Sequence, residues 1–354
     1  MTSSRRLLCA LLAGAAMACS APALLPELAE AEHLEREGRH DEAIAAYERA
    51  ALSCLDITHR ERRQARCAEA YLYRAELLDR LGQRREAVAV YLELPAAVDH
   101  REAAARATYQ AARITLELGD DARAYDLLWR TIVDYPDELA AVDAVTLVAD
   151  DGRRRAPLQL YRVFRDLWSA LEGRGVAPRI IMSMAEIAEH DLDDPRAALA
   201  LYDELAARYP DSGLHDDALW RGGRLARELG DPEAALARYR RLADTRHSLP
   251  FGFGSTRSEH LDDATLESGR ILRDDLARYR EAIAAFEALP ERFPHSRLHD
   301  DAAFELALTW GAAGRIGRAC AELERLAEAW PDSRYELERA PALREDLGCD
   351  ESPP

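Results

Sequence analysis

Apolar positions along most of the chain recur with the period of a helix rather than the alternation of a strand. In the stretch Asp231 to Leu242 (DPEAALARYRRL), Ala234, Ala235, Leu236, Tyr239 and Leu242 fall at i, i+4, i+7 spacing, which predicts an amphipathic helix with one buried face. The same pattern returns at intervals. A small residue is followed five positions later by another small residue and nine positions later by a bulky apolar one. The sets are Gly38, Ala43, Tyr47; Gly82, Ala87, Tyr91; Gly119, Ala124, Leu128; Gly152, Pro157, Tyr161; Asp193, Ala198, Tyr202; Gly230, Ala235, Tyr239; Ala277, Ala282, Phe286; and Gly314, Ala319, Leu323. Successive starts lie 44, 37, 33, 41, 37, 47 and 37 residues apart, which makes eight units.

A second mark closes four of the units seventeen residues after their start: Tyr135-Pro136, Tyr209-Pro210, Phe293-Pro294 and Trp330-Pro331. Proline lacks the N–H that a helix interior needs, so each pair predicts a stop. Each unit therefore reads as helix, tight turn at the small residue, second helix, stop. The small residue at plus five lets paired helices approach, and the bulky one at plus nine fills the gap toward the neighbouring unit. In the fourth unit this reading places the turn at Gly152-Arg153-Arg154-Arg155 and puts Pro157 in the small position.

This joint spacing resembles the tetratricopeptide repeat (TPR). The resemblance implies an all-α fold, a right-handed α-solenoid of about eight TPR-like helical hairpins over residues 27–345, followed by a C-terminal tail at 346–354. Two linker stretches, YPDSGLHDDAL (Tyr209 to Leu219) and FPHSRLHDDAA (Phe293 to Ala303), carry a narrower resemblance that WPDS at Trp330 to Ser333 echoes. They are similar to linkers in the periplasmic repeat proteins of the outer-membrane assembly lipoprotein (BamD-like) and Tol-Pal coordinator (YbgF-like) groups.

The first eighteen residues, MTSSRRLLCALLAGAAMA, have a different character. Arg5 and Arg6 precede an apolar run from Leu7 to Ala15, and Ala16-Met17-Ala18 is a small-x-small exit, the order of a secretory signal peptide. Cys19 follows directly, and Ala16-Met17-Ala18-Cys19 resembles the lipobox of bacterial lipoproteins, which implies a lipidated Cys19 and a short tether at 19–26. Ser20 at the next position points by the same resemblance to the outer membrane. Residues 19–354 hold no stretch long and apolar enough to span a bilayer.

Charge narrows the partners. The 354 residues carry 47 basic and 65 acidic side chains, a net −18. Processing after residue 18 removes two Arg and no acid, which takes the chain to −20. Nucleic acid binding needs a concentrated positive field, so a nucleic-acid partner is not expected. Every basic residue is Arg, with no Lys and no Asn anywhere, so Schiff-base chemistry and N-glycosylation have no residue to act on.

No set of residues suggests catalysis: there is no GxSxG elbow, and no Cys in a catalytic setting beside His. His215-Asp216-Asp217 and His299-Asp300-Asp301 contain metal-ligand types, but adjacent helical residues point apart, and Leu261-Asp262-Asp263 repeats the arrangement without the His. They read as acids stabilising helix N-termini. Neither a metal nor a cofactor is expected. Phe251-Gly252-Phe253-Gly254-Ser255-Thr256 lacks the Lys and third Gly of a phosphate loop and falls in the longest interval between units. It reads as an inserted loop whose Phe251 and Phe253 are the candidate partner contact, since insertions in solenoids collect on one face. The basic islands Arg153-Arg154-Arg155 and Arg60-Glu61-Arg62-Arg63 read as solvated turns.

Four cysteines follow Cys19. Cys54, Cys67, Cys320 and Cys349 form one group near each end of the chain, and an even count in an exported protein predicts the pairs Cys54–Cys67 and Cys320–Cys349. The expected function is that of a non-enzymatic, lipid-anchored scaffold on the periplasmic face of the outer membrane, holding periplasmic or outer-membrane proteins.

Overall fold

The computed structural model describes residues 26–53, 60–244 and 260–349. Among the described residues the chain is a succession of α-helices separated by short turns. In order they are α1 (Pro26–Arg36), α2 (His40–Ser53), α3 (Arg60–Arg80), α4 (Arg84–Ala97), α5 (Arg101–Glu117), α6 (Asp121–Asp134), α7 (Leu139–Arg155) and α8 (Pro157–Ala170). There follow α9 (Ala177–His190), α10 (Pro195–Arg208), α11 (His215–Glu228), α12 (Pro232–Ala243), α13 (Leu261–Asp274), α14 (Tyr279–Arg292), α15 (His299–Ala312), α16 (Ile316–Ala329) and α17 (Ala340–Leu347). The all-α solenoid of helical hairpins expected from the repeat is the architecture observed. The chain divides into two compact units, Met1–Ala156 with Asp166–Ile180, and Pro157–Arg165 with Ile181–Pro354.

The turns explain the sequence marks. Gly38, Gly82, Gly119, Gly230 and Gly314 all have φ between +71° and +82°, beyond the region that side chains tolerate, and each lies between the two helices of its hairpin. The next residue closes the turn on a carbonyl five positions back, as Asp231 N–H does on Ala226 at 2.9 Å. Asp193 and Ala277, the non-glycine starts, have φ of +52°. Their turns are one residue wider: Asp194 N–H bonds the Ala188 carbonyl and Arg278 N–H the Leu272 carbonyl, six positions back. The wider turn brings φ into the left-handed basin that a Cβ can enter at a cost. Asp120, Asp194 and Asp231 then cap the following helices through Arg123, Ala197 and Ala234 N–H groups, and Pro195 and Pro232 occupy the first turn, where no N–H is missed.

The fourth unit departs from the sequence reading. Gly152 is not at a turn; α7 runs through it to Arg155, and the chain turns at Ala156 (φ −156°, ψ 68°) before Pro157 opens α8. The buried residues of α8 are Leu160 and Phe164, not Pro157 and Tyr161. The corrected start is Arg155, which lies 36 residues after Gly119 and 38 before Asp193, closer to the regular spacing than the 33 and 41 first read. A glycine three residues early misled the pattern because this turn contains no left-handed residue for a glycine to serve.

Packing follows the second-helix positions. Tyr47, Tyr91, Leu128, Phe164, Tyr202, Tyr239, Phe286 and Leu323 are buried to within 2% exposure, and the alanines at 43, 87, 124, 198, 235, 282 and 319 are completely buried. Fully burying one such large side chain contributes about 1.5–3 kcal/mol. The aromatic of each aromatic–Pro pair is the residue at which the helix stops: Tyr135, Tyr209, Phe293 and Trp330 donate their N–H groups to Thr131, Leu205, Leu289 and Leu326 carbonyls. Ser296 and Ser333, three residues on, accept from Leu298 and Tyr335 N–H groups and donate to Asp262 at 2.5 Å and Asp300 at 2.6 Å. Through these bonds the linker serines hold the acids that open the preceding first helix, so Asp262 and Asp300 serve packing.

At the C-terminal end, a short π-helical turn (Tyr335–Arg339) leads into α17, which covers the last hairpin. Phe304, Leu323, Leu326, Tyr335 and Ala340 form a core against which Leu343, Leu347 and Cys349 pack. Cys320 and Cys349 are disulfide-bonded, with Cα atoms 5.4 Å apart. The helix crosses residue 345, where the repeats were expected to end.

Candidate functional site: the first-helix face

Within each compact unit the first helices of successive hairpins are joined by arginine–carboxylate pairs. In the first unit Arg80 of α3 binds Glu35 of α1, Arg106 of α5 binds Glu76 of α3 at 2.6 Å, and Arg113 reaches Asp79 at 3.4 Å. In the second, Arg221 and Arg224 of α11 bind Glu186 (2.9 Å) and Glu189 of α9. Arg227 binds Glu267 of α13 at 3.2 Å, and Arg270 and Arg273 of α13 converge on Glu305 of α15. Glu305 is only 4% exposed, so its charge is held by these two guanidinium groups rather than by water.

Second-helix tyrosines complete the arrangement. Tyr47 and Tyr202 donate their phenols to Glu35 and Glu189 at 2.7 Å, and each glutamate also accepts an arginine from the next first helix. Burial works against ionisation of both glutamates, but hydrogen bonds from the tyrosine and the arginine outweigh it and hold them below the ordinary carboxylate range. The tyrosines move upward, first by burial and then by the adjacent carboxylate. Asp263, on α13, shifts up instead, because burial and the charge of Asp262 both disfavour its ionised form.

Close approach of paired helices depends on residues absent from the sequence marks. A Cβ on Gly223 of α11 would stand 2.7 Å from the Tyr239 ring, and one on Gly269 of α13 would stand 2.5 Å from Phe286. Both glycines lie 16 or 17 residues before the bulky position of their unit, a regularity that could have been read from the sequence. Beside Gly223, Trp220 stacks on His260 with ring centroids 5.0 Å apart, and His260 Nε2 lies 3.3 Å from Asp217.

The expected site residues fall as follows. Cys19, Cys54, Phe251 and Phe253 lie outside the described residues, as do the signal peptide and residues 19–25 of the expected tether; its last residue, Pro26, opens α1. Cys67 is buried on α3 and disulfide-bonded. His215 and Asp216 are buried at the start of α11, and His299 Nε2 contacts the Phe293 carbonyl at 2.8 Å, a structural position. Arg153, Arg154 and Arg155 belong to the last turn of α7 rather than to a loop, with Arg155 paired to Asp151 at 2.9 Å. Arg60, Glu61, Arg62 and Arg63 open α3, a helix, where a turn was expected.

The profile of the family described as "Tetratricopeptide repeat" matches residues 181–212 and 217–245. Over these two segments the chain is similar to the tetratricopeptide repeat. The matched segments correspond to most of α9 with α10, and to α11 with α12. Among solved structures the chain is similar to YrrB, titled a TPR protein with an unusual peptide-binding site, at 17% identity and a TM-score of 0.40 over 59% of this chain and 95% of that one. It is also similar to the C-terminal part of a TPR repeat-containing protein from Cytophaga hutchinsonii (11% identity, TM-score 0.40, 88% of this chain and 98% of that one). PilW, titled a type IV pilus biogenesis factor, matches at 14% identity with a TM-score of 0.36 over 76% of this chain and 96% of that one. No curated protein matches.

Proposed function

We propose that this protein is a non-enzymatic scaffold of the bacterial cell envelope, anchored through a lipid on Cys19 and binding other envelope proteins along the first-helix faces of its repeats. The observation that carries the binding role is the repeat itself. Successive hairpins are tied through their first helices by arginine–carboxylate pairs, and the exposed part of that face is a surface available for a partner. The Arg5-Arg6 to Cys19 segment and the Cys320–Cys349 disulfide support an exported location, since disulfides persist in oxidising compartments. The aromatic-Pro-Asp-Ser linkers favour, among envelope roles, assembly or coordination of an outer-membrane complex of the BamD-like or Tol-Pal type.

Crosslinking in cells followed by mass spectrometry tests the binding role. Reproducible crosslinks from the first helices to one or a few envelope proteins are expected, and crosslinks only to abundant bystanders would overturn it. Detergent phase partitioning tests the anchor separately. The wild-type chain should enter the detergent phase and Cys19→Ala should remain aqueous; equal partitioning of the two would remove the lipid anchor from the proposal.

A further inference from the structure

Two successive second helices of the second compact unit bind the one before them differently. From α12, Arg238 donates to Asp203 of α10 at 2.6 and 2.8 Å, and Arg241 reaches the Ala206 carbonyl at 2.8 Å, so two long side chains cross the groove between these helices. Counted from the unit starts, the equivalent positions on α14 are Ala285 and Ala288. The position of Ala288 is charged in every other unit, with the fourth counted from Arg155. Without the two arms a cleft of about 340 Å³ opens between α12 and α14, floored by Leu272 of α13 and by Ala284, Ala285 and Ala288. Its polar groups are engaged: Arg240 donates to Glu281 at 3.0 Å, and Arg292 to Asp244 at 3.2 Å and to the Ala243 carbonyl at 2.7 Å. The Thr265 and Ser268 hydroxyls donate to carbonyls one turn back in α13. Two arginines face two acids, so the cleft offers apolar contact and no net charge, and the occupant that fits it is apolar.

We infer that this cleft is the docking site of the chain's own segment 245–259, which seats its Phe side chains where α12 uses arginine arms. Asp244 lines the cleft and is the last described residue before that segment. Phe251 follows seven residues later, a reach of up to about 23 Å when extended, which suffices to return to a cleft whose rim is the starting point. The segment falls in the longest interval between units, 47 residues, and the unit that ends this interval is the one that has lost both arms. An insertion bearing two aromatic rings and a missing pair of packing side chains thus compensate each other, since an open apolar groove forfeits contacts that a ring would restore. On this reading Phe251 and Phe253 complete the second-helix face, and partners are left to the first-helix faces. The docking does not depend on the scaffold reading above.

The test uses the purified full chain with p-benzoylphenylalanine in place of Phe253. Irradiation, reduction and complete tryptic digestion should give a crosslink within one chain to the cleft-lining peptides Ile271–Arg273 or Glu281–Arg292, read by mass spectrometry. A species of twice the chain mass would place the segment on a second copy, and links elsewhere, or none, would leave the cleft without it; each overturns the docking. Ala285→Arg/Ala288→Arg, which restores the two arms, should abolish the crosslink, and Ala321→Arg, at an exposed position of α16, should not. Limited trypsin digestion of the folded chain is a second readout. Cleavage after Arg246 and Arg257 should accelerate about tenfold in Phe251→Ser/Phe253→Ser and equally in Ala285→Arg/Ala288→Arg, because it follows the undocked population. Combining the two pairs should add nothing further. Unchanged circular dichroism checks that each variant is folded. Cleavage equal to wild type, or acceleration that adds on combination, would overturn the docking. A docked segment in a chain that crosslinks to no envelope protein would remove the scaffold role alone.

Discussion

Tyr202 on α10 donates its phenol to Glu189 of α9 at 2.7 Å, and Glu189 in turn accepts Arg224 from α11. One glutamate thus ties the second helix of its own hairpin to the first helix of the next, and Tyr47, Glu35 and Arg80 repeat the arrangement in the first compact unit. Removing the phenol leaves a buried carboxylate short of one donor. Tyr202→Phe is expected to destabilise the protein by about 1.5–3 kcal/mol, read from urea unfolding, with unchanged helix content by circular dichroism.

The direction of the glutamate shifts sets a pH dependence. Glu35 and Glu189 have folded pKa values below their unfolded ones, so their contribution is fully present above the ordinary carboxylate range near 4.5 and is lost as pH falls through the depressed values. The Glu35→Gln/Glu189→Gln double variant should therefore lose less stability than wild type on acidification from pH 5 to lower values. Asp263 has the opposite sign. Its folded pKa is raised, so it destabilises the fold as pH rises through that range, and Asp263→Asn should stabilise at pH 7 with the gain disappearing below its unfolded pKa. Melting temperatures of the variants across pH check both signs.

Two glycines in the same hairpin class test different physics. Gly269→Ala places a Cβ 2.5 Å from the Phe286 ring, an overpacking expected to cost about 1–3 kcal/mol, and Phe286→Leu in the same chain should recover part of that loss. Gly230, by contrast, faces open space with φ at +82°. Gly230→Ala should cost about 1–2 kcal/mol through backbone strain alone, and no change at a neighbouring side chain should rescue it. Chemical denaturation of the single and double variants separates the two cases.

The Cys320–Cys349 disulfide closes a 29-residue separation and fastens α17 over the last core. A loop of this length implies about 3–4 kcal/mol from restriction of the unfolded chain. Reduction should lower the melting temperature of wild type measurably. In Cys320→Ser/Cys349→Ser the melting temperature should already be lower, with that part of the response to reductant gone.

The sequence alone determined the helical hairpin, its repetition and most of its register, because these are local demands. A left-handed turn needs glycine, a close helix crossing needs alanine, and an aromatic–Pro pair ends a helix within a few residues of where it is written. The fourth unit shows the limit: Gly152 carries the right residue type inside a continuous helix, and only the buried positions Leu160 and Phe164 reveal the true phase. Tertiary structure alone decided which charges meet. In a chain with 47 arginines and 65 acids, a glutamate such as Glu305 has no sequence mark distinguishing it from its neighbours. Its role comes from the stacking of hairpins, which brings Arg270 and Arg273 to it across 35 and 32 residues and closes its carboxylate off from water.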